Sequence, residues 1–352
     1  MKSRVFPWVI LGLLAVSQAA WAEMKISGRI NASVDYTNDG SKSTPTHDAT
    51  NLQLVSNKSR LAFSGNEELS PNVDLIWQFA AEFSADTGSF NGNTDNNDNT
   101  IESQDTFIGL DGSIGTFTGG YMGTPYRQST DDLDIFKDTA ADYSAIFGQN
   151  PNSSIDHDQR ASNVLIYQTP SAKKLKGAVG YVLDENEDGI NTPGLSMNVV
   201  YDNRALYMAF AYDSYRNSGV GGENDTGTRF GARWDFGQGT RIALIWESLD
   251  AGGNNNDREA YEFNISHLTG NATFKFAYIL AGDVGGVSDT GAKNFSFGLF
   301  YALSRTTDWY GLYTQTNNGS QVGYGLETVP NGAIGGNVSA LSFGLRHEFD
   351  NL

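Results

Sequence analysis

MKSRVFPWVILGLLAVSQAAWA (residues 1–22) is followed directly by EMKISGRINASVDY (residues 23–36), and these two stretches decide the fold class. The first stretch begins with two basic residues, continues with an apolar run over Val5–Val16 and ends in the small-x-small triplet Ala20–Ala22, which is the pattern of a cleaved secretory signal. The apolar run is shorter than the roughly 20 residues that a transmembrane helix requires. We therefore expect an exported chain.

Polar and apolar residues alternate along the second stretch. Because successive side chains of a β-strand point to opposite faces, this period of two predicts a strand with two unlike faces. One face carries Arg29, Asn31, Ser33 and Asp35, and the other carries Ile30, Ala32, Val34 and Tyr36. The same period recurs and predicts sixteen strands, at residues 24–36, 52–65, 72–85, 103–112, 115–122, 161–169, 175–184, 194–201, 205–215, 227–236, 239–249, 258–268, 271–282, 293–303, 308–316 and 339–349.

The connections between these strands alternate between short and long. Seven are short turns such as Ser113–Ile114, and eight are longer segments, many of them rich in Asn, Asp, Gly and Ser. This pattern is typical of an all-β, up-and-down antiparallel barrel that crosses the outer membrane, with short periplasmic turns and long outer loops. We therefore predict residues 23–352 to be a single barrel domain of about sixteen strands.

Composition narrows the possible functions. Removal of residues 1–22 takes away two of the 23 basic residues and none of the 41 acidic ones, which leaves a formal charge of −20. A chain of this charge is not expected to bind nucleic acid. The sequence contains no cysteine, so neither disulfides nor thiolate metal sites are possible.

Four segments carry motifs that are specific when they are taken together. Asn57–Phe83 combines a Ser-Arg-Leu start, a Gly-x-Glu-x-Leu turn and an aromatic-rich strand, and Thr106–Pro125 ends in a Thr-Pro that opens a long loop. Asn163–Tyr181 is a strand, a proline turn and a second strand, and Ser342–Phe349 lies in the last predicted strand. In these segments the chain resembles the general Gram-negative porins, and the resemblance covers most of the mature chain.

The resemblance implies a sixteen-stranded barrel, usually a homotrimer, that passes small hydrophilic solutes without a cofactor and without catalysing a reaction. It implies that the third long loop, residues 123–160, folds inward as a constriction. It also implies contact with outer-membrane lipid and lipopolysaccharide, and recognition of the last strand by the barrel-insertion machinery. The chain departs from the family at Tyr121, where an arginine is usual, and after Phe349, where three further residues follow.

Whether a residue occupies an odd or an even position along its strand, here called its parity, predicts which charged residues face the lumen. Arg29, Arg60 and Arg346 fall on polar strand faces, and a charge on the lipid face would cost about 2–4 kcal/mol near the midplane. We predict that these three arginines form the basic wall of the constriction. The third loop would supply the opposing acidic side chains, predicted as Asp131, Asp132 and Asp134.

Selectivity and solute range remain open at this point. The acidic balance and the missing third-loop arginine favour a weak cation preference, although many of the charges lie in outer loops beyond a Debye length of about 8 Å. Two alternatives are a solute-specific channel and a barrel that acts as an adhesin or structural protein through its outer loops. A solute-specific channel would need an aromatic or basic track in the lumen, and Tyr207, Ile279 and Phe300 are its inward-facing apolar candidates.

Two sequence motifs are typical of functional sites but have plainer explanations. Asp184–Gly189 matches the start of a calcium loop, but the twelfth position is Leu195 instead of glutamate, which favours a simple turn. Ser266 and His267 are adjacent, so in a strand they point to opposite faces and cannot act as a catalytic pair. The four histidines show no metal-binding spacing, and we predict neither an enzyme nor a metal site.

Overall fold

A computed structural model describes residues 23–44, 47–89, 103–170, 174–183, 193–330 and 332–350 of the 352-residue chain. The predicted signal (residues 1–22) and the calcium-loop-like pattern at Asp184–Gly189 lie outside the described residues.

Strands make up nearly all of the regular structure. They are β1 Glu23–Asn38, β2 Thr50–Ser56, β3 Arg60–Ser70, β4 Val73–Glu82, β5 Thr106–Gly112, β6 Gly115–Gly123, β7 Arg160–Gln168, β8 Leu175–Val182, β9 Gly194–Asp202, β10 Leu206–Tyr215, β11 Asp225–Asp235, β12 Thr240–Asp250, β13 Asp257–Thr269, β14 Ala272–Ala281, β15 Ala292–Ala302, β16 Thr307–Asn318 and β17 Asn337–Asp350. A short helix, α1, spans Pro125–Gln128, and single 3₁₀ turns cover Asp131–Leu133, Tyr143–Ala145, Val220–Gly222 and Val284–Gly286. Among the residues that the structure describes, no helix has the length and apolar composition needed to cross a membrane.

The strands form one closed antiparallel sheet. Each strand pairs with its neighbours in chain order, and β1 pairs with β17 from Ser27 opposite Asp350 to Asn38 opposite Ser339. Closing the sheet pairs the backbone groups of the first strand with those of the last. This is required in a membrane, because hydrocarbon offers no hydrogen-bond partner to an open strand edge. Strands β2 and β3 both pair with β1, so together they form one barrel strand, and the barrel has sixteen strands as predicted.

The break between β2 and β3 is a β-bulge that the alternation pattern does not predict. Ser56 lies opposite Ala32 and Arg60 lies opposite Arg29, so this strand has one extra residue there. Lys58 takes a left-handed conformation with φ of 53°. The Ser59 hydroxyl accepts a hydrogen bond from the Asn31 amide at 3.0 Å and donates one to the Asn31 carbonyl at 3.1 Å, which attaches the bulge to β1.

The two faces of the sheet have the predicted polarity. On β1, Ile30 and Val34 are 44% and 47% exposed and face outward, whereas Asn31 and Asp35 are buried and face inward. The same alternation continues around the barrel, with exposed Phe230 beside buried Arg229 on β11. Since no lipid is present to cover the outer face, its apolar exposure is expected of a barrel that spans a membrane.

The apolar core lies inside the barrel and is formed by the third long loop. This loop connects β6 to β7, and its Ile146 and Phe147 are buried in one cluster with Ile245 and Ile279 of the wall. Phe136 of the same loop packs in a second cluster with Phe300, at 6.2 Å between ring centroids. The inward apolar residues predicted from parity therefore contact the loop.

Gly344 on β17 makes room for the buried Tyr310 on β16. A Cβ atom at Gly344 would lie 2.1 Å from Cζ of Tyr310, whose ring stacks on Phe300 at 5.1 Å. We expect Gly344→Ala to destabilise the folded barrel by about 1–3 kcal/mol, because the ring must leave a packed position. Denaturant unfolding in detergent would measure the loss. Gly177→Ala on β8, where the nearest atom is at 3.5 Å, should change little, and equal losses in both variants would contradict the packing argument.

Candidate functional site

The third loop is attached to the inner wall through Glu247 of β12. This carboxylate is fully buried, and it accepts hydrogen bonds from the Tyr126 hydroxyl at 3.1 Å and from the Gly148 amide at 3.0 Å. Arg229 of β11 and Arg258 of β13 also donate to it, Arg258 at 2.8 Å. One carboxylate therefore links two strands to two distant points of the loop.

Other side chains of the barrel wall donate hydrogen bonds to backbone carbonyl groups of the loop. Asn264 donates to the Leu133 carbonyl at 3.0 Å, and Lys275 donates to the Ile135 carbonyl at 2.5 Å. On the opposite side, Asn31 of β1 donates to the Asp138 carbonyl at 2.7 Å. The loop thus crosses the lumen from the β9–β14 wall to β1.

Two of the three predicted wall arginines meet at the tip of this loop. Arg29 and Arg60 are register partners on β1 and β3, and both pair with the Asp138 carboxylate, Arg60 at 3.6 Å. Asp138 is 4% exposed and takes a left-handed φ of 57°. The acidic residue that both arginines share is therefore Asp138, which the sequence analysis did not select, and Arg29 also lies 3.9 Å from Glu348.

The third predicted arginine lies elsewhere on the wall. Arg346 of β17 pairs with Asp308 of β16 at 3.1 Å. It shares a cavity of about 260 Å³ below the third loop with Asp132, Asp134 and Lys275. The structure thus brings Arg346 near two of the predicted acidic residues, and it places Arg29 and Arg60 at a different point.

The predicted acidic residues have distinct surroundings. Asp131 pairs with Lys137 and, at 3.8 Å, with Arg127, both within the loop, and Asp132 is exposed. Asp134 accepts the amides of Phe136 and Tyr143 and so shapes the loop. Burial and nearby carboxylates raise the pKa of Asp134.

A polar opening remains between the loop and the wall formed by β2 to β7. Its volume is about 520 Å³. The charged residues that line it are Lys58, Arg127 and Arg160 on the basic side and Glu82, Asp138, Asp156, Asp158 and Glu327 on the acidic side. Tyr121, at the position where the resembled family has an arginine, lies in the same lining, so Arg127 and Arg160 supply positive charge close to it.

A buried histidine fixes the end of the third loop. His157 lies between two fully buried carboxylates, with Nε2 at 2.9 Å from Asp225 and Nδ1 at 3.5 Å from Asp213. Burial opposes the charged ring, but the two carboxylates outweigh it and raise the pKa of His157 to about 9. The ring is therefore an imidazolium at neutral pH. Within the described part of the chain, no group of three or more acidic or histidine side chains could hold a metal ion.

A sequence model described as Gram-negative porin matches residues 9–321 of this chain. The chain belongs to the Gram-negative porin family. This porin is therefore an integral protein of the outer membrane, and its family comprises passive channels and not enzymes.

Individual relatives of this porin are distant. The major outer membrane protein P.IB of Neisseria meningitidis serogroup B is 26% identical over 207 residues, which cover 57% of this chain and 56% of that protein. The chain spans about half the length of the curated Neisseria relatives that it matches.

Solved structures share the fold of this porin. The anion-selective porin from Comamonas acidovorans matches with a TM-score of 0.77 and 21% identity, over 93% of this chain and 100% of that one. A trimer form of OmpT, an outer membrane protein of Vibrio cholerae, matches with a TM-score of 0.64 and 15% identity over 93% and 99%. At these identities the likeness concerns the fold alone.

Proposed function

We propose that this porin forms a water-filled channel for passive diffusion of ions and small hydrophilic solutes. The observation that carries the proposal is the polar opening of about 520 Å³ beside the third loop. A second cavity of about 400 Å³ contains Arg29 and Arg60, whose partner Asp138 lines the opening. The proposed solute path runs through both cavities, and its constriction lies where these three residues meet.

The proposed constriction has opposite charges on its two sides. Arg29 and Arg60 belong to the wall and pair directly with Asp138 of the loop, so the edge of the proposed constriction carries a cluster of two positive charges and one negative charge whose field reaches the adjacent water. A solute with a dipole can align with this field, whereas an apolar solute must displace oriented water. Residues 123–160 act as the constriction loop, and Arg346 with Asp132 and Asp134 would form a second charged zone below it.

We further propose a weak cation preference. The opening is lined by five acidic and three basic side chains, which leaves it net negative. Rings and patches of charged side chains select ions of the opposite sign. The second candidate is anion preference. The two arginines at the proposed constriction favour it. The similar porin from Comamonas acidovorans is named as anion-selective.

The proposal includes a homotrimeric assembly in outer-membrane lipid and lipopolysaccharide. The trimer is supported by the similarity to OmpT of Vibrio cholerae, which is described in a trimer form. The last strand, which ends at Asp350, would be the segment that the insertion machinery recognises. Signal cleavage near Ala22 remains part of this proposal.

Single-channel recording of the refolded porin under a salt gradient tests the function. We expect stepwise openings and a reversal potential of cation sign. An anion sign would support the second candidate, and a folded barrel that does not conduct would contradict the channel proposal.

Asp138→Asn tests the constriction itself. Removing this charge takes away the carboxylate that Arg29 and Arg60 share and leaves Arg29 with Glu348 at 3.9 Å. The proposed constriction becomes more positive, so we expect the cation-to-anion permeability ratio to fall roughly twofold or more. Reversal potentials measure the ratio. Asp289→Asn, at an exposed outer-loop position that also has a positive φ, is the matched control and should leave the ratio unchanged. An unchanged ratio in Asp138→Asn would place the constriction elsewhere.

A further inference from the structure

The last long loop connects β16 to β17, and its described residues, 319–330 and 332–336, also fold into the barrel. Its Val322 and Tyr324 are buried in the cluster that contains Phe147 of the third loop. Its Leu326 is buried in the cluster that contains Phe136. Two loops therefore share one interior core, and the last loop has a fixed position above the third.

A tight turn carries Glu327 from this loop into the polar opening. Leu326 and Val329 exchange backbone hydrogen bonds at 2.9 and 3.0 Å, which leaves Glu327 and Thr328 at the tip. The Glu327 carboxylate lies 2.6 Å from Nζ of Lys58 and accepts a hydrogen bond from the Ser144 hydroxyl at 3.3 Å. It thereby joins the barrel wall and the third loop.

Lys58 reaches this position because the second barrel strand is broken there. The residue sits in the bulge between β2 and β3 with a positive φ, a conformation that glycine adopts without steric cost and lysine does not. Bulges are found next to functional sites, where they redirect a side chain. Here the bulge places an ammonium group in the lining of the opening.

We propose that Lys58 and Glu327, which form an ion pair in the lining of the opening on the outer side of the constriction, are a specificity-determining pair of the channel. The inference rests on the proposed channel function. The pair is locally neutral as it stands, and its side chains are each 27% exposed, so their charges act on passing ions through the water of the opening. Removing one member changes the net charge of the lining by one unit.

The pair is expected to govern selectivity more than stability. The last loop keeps its position through Val322, Tyr324 and Leu326, which do not depend on the pair. Single neutral substitutions should therefore leave a folded barrel.

Reversal potentials in KCl gradients test the proposal with two opposite variants. Glu327→Gln should lower the K⁺/Cl⁻ permeability ratio about twofold, and Lys58→Asn should raise it by a similar factor. Asparagine suits the positive φ at position 58. The double variant restores neutrality and should return the ratio close to the parent value. Glu223→Gln, an exposed outer-loop residue away from the opening, is the control and should have no effect.

Salt dependence separates charge from loop movement. The Debye length falls from about 10 Å at 0.1 M to about 3 Å at 1 M ionic strength. An effect of charge on selectivity therefore weakens in high salt, whereas an effect of a displaced loop persists. Ratios that stay at the parent value in both single variants, or shifts that persist in high salt, would overturn the inference while the channel function stands. A parent barrel that does not conduct would overturn both.

Discussion

Replacing Glu247 with glutamine is expected to release the third loop from the barrel wall. The buried carboxylate holds Tyr126 and Gly148 of the loop and pairs with Arg229 and Arg258 of the wall. Removing one partner from a buried ion pair costs about 3–5 kcal/mol. Here Arg258 loses its carboxylate partner in a dry site, whereas Arg229 keeps Asp158 at 2.5 Å. The barrel itself should remain closed, because its strand pairings do not involve this side chain.

Two measurements check this result. Limited proteolysis should cut within residues 124–159 of Glu247→Gln under conditions that spare the parent protein, and single-channel traces should become noisier with altered conductance. Glu259→Gln on β13 makes the same chemical change at an exposed position and is the matched control. A variant with a protected loop and quiet channels would show that Glu247 is dispensable for loop attachment.

The barrel could be predicted from sequence because lipid and water impose opposite polarity on alternate residues. Ile30, Val34 and Phe230 face outward, while Arg29 and Arg229 face inward, as their parity indicates. Each strand is therefore recognisable by itself, and the alternation of short and long connections fixes the order of strands. The sixteen-stranded fold follows from these local signals.

The bulge at Lys58 shows where alternation along a whole strand fails. Leu54 and Arg60 are six positions apart, so an unbroken strand would place both on one face. Leu54 is 54% exposed outside, whereas Arg60 faces Asp138 inside, because the extra residue reverses the face. The inward prediction for Arg60 follows from its local alternation with Leu61 and Phe63, and the register shift explains why Leu54 faces the other way.

The charged partners in the third loop could not be predicted, because the sequence of that loop shows no regular alternation of polar and apolar residues. Its acidic residues are close together in sequence, and their directions depend on turns such as the positive φ of Asp138. Of these, Asp134 accepts backbone amides and Asp131 pairs within the loop, while Asp138 reaches the arginines. The network around Glu247 was missed for the same reason, since it joins a strand to loop atoms distant in sequence.

Alkaline pH is expected to loosen the end of the third loop through deprotonation of His157. The ring is fully buried between Asp213 and Asp225 and packs against Tyr126 at 5.7 Å and Tyr215 at 5.6 Å between ring centroids. As an imidazolium it balances two buried carboxylates. As a neutral ring it leaves them without a full counter-charge, which is costly in a dry interior.

The direction of the pH dependence follows from the raised pKa. The pKa of His157 rises from 6.5 to about 9 in the folded state. Its stabilising contribution is therefore complete below about pH 6.5 and is lost as the pH rises through about 9, with a total on the order of 3 kcal/mol. We expect a closely attached loop at neutral pH and a released one near pH 10.

His157→Gln separates this histidine from other groups that titrate in the same range. The variant has no charge to lose, so proteolysis of the loop and channel noise should already be high at neutral pH and should change little towards pH 10. His267→Gln, at an exposed position on β13, should keep the transition of the parent protein. A transition that survives in His157→Gln would assign the pH dependence to another group. If the loop of the parent protein stays protected at pH 10, Asp213 and Asp225 tolerate a neutral ring. The remaining contacts of the loop, above all those with Glu247, would then be sufficient to hold the loop.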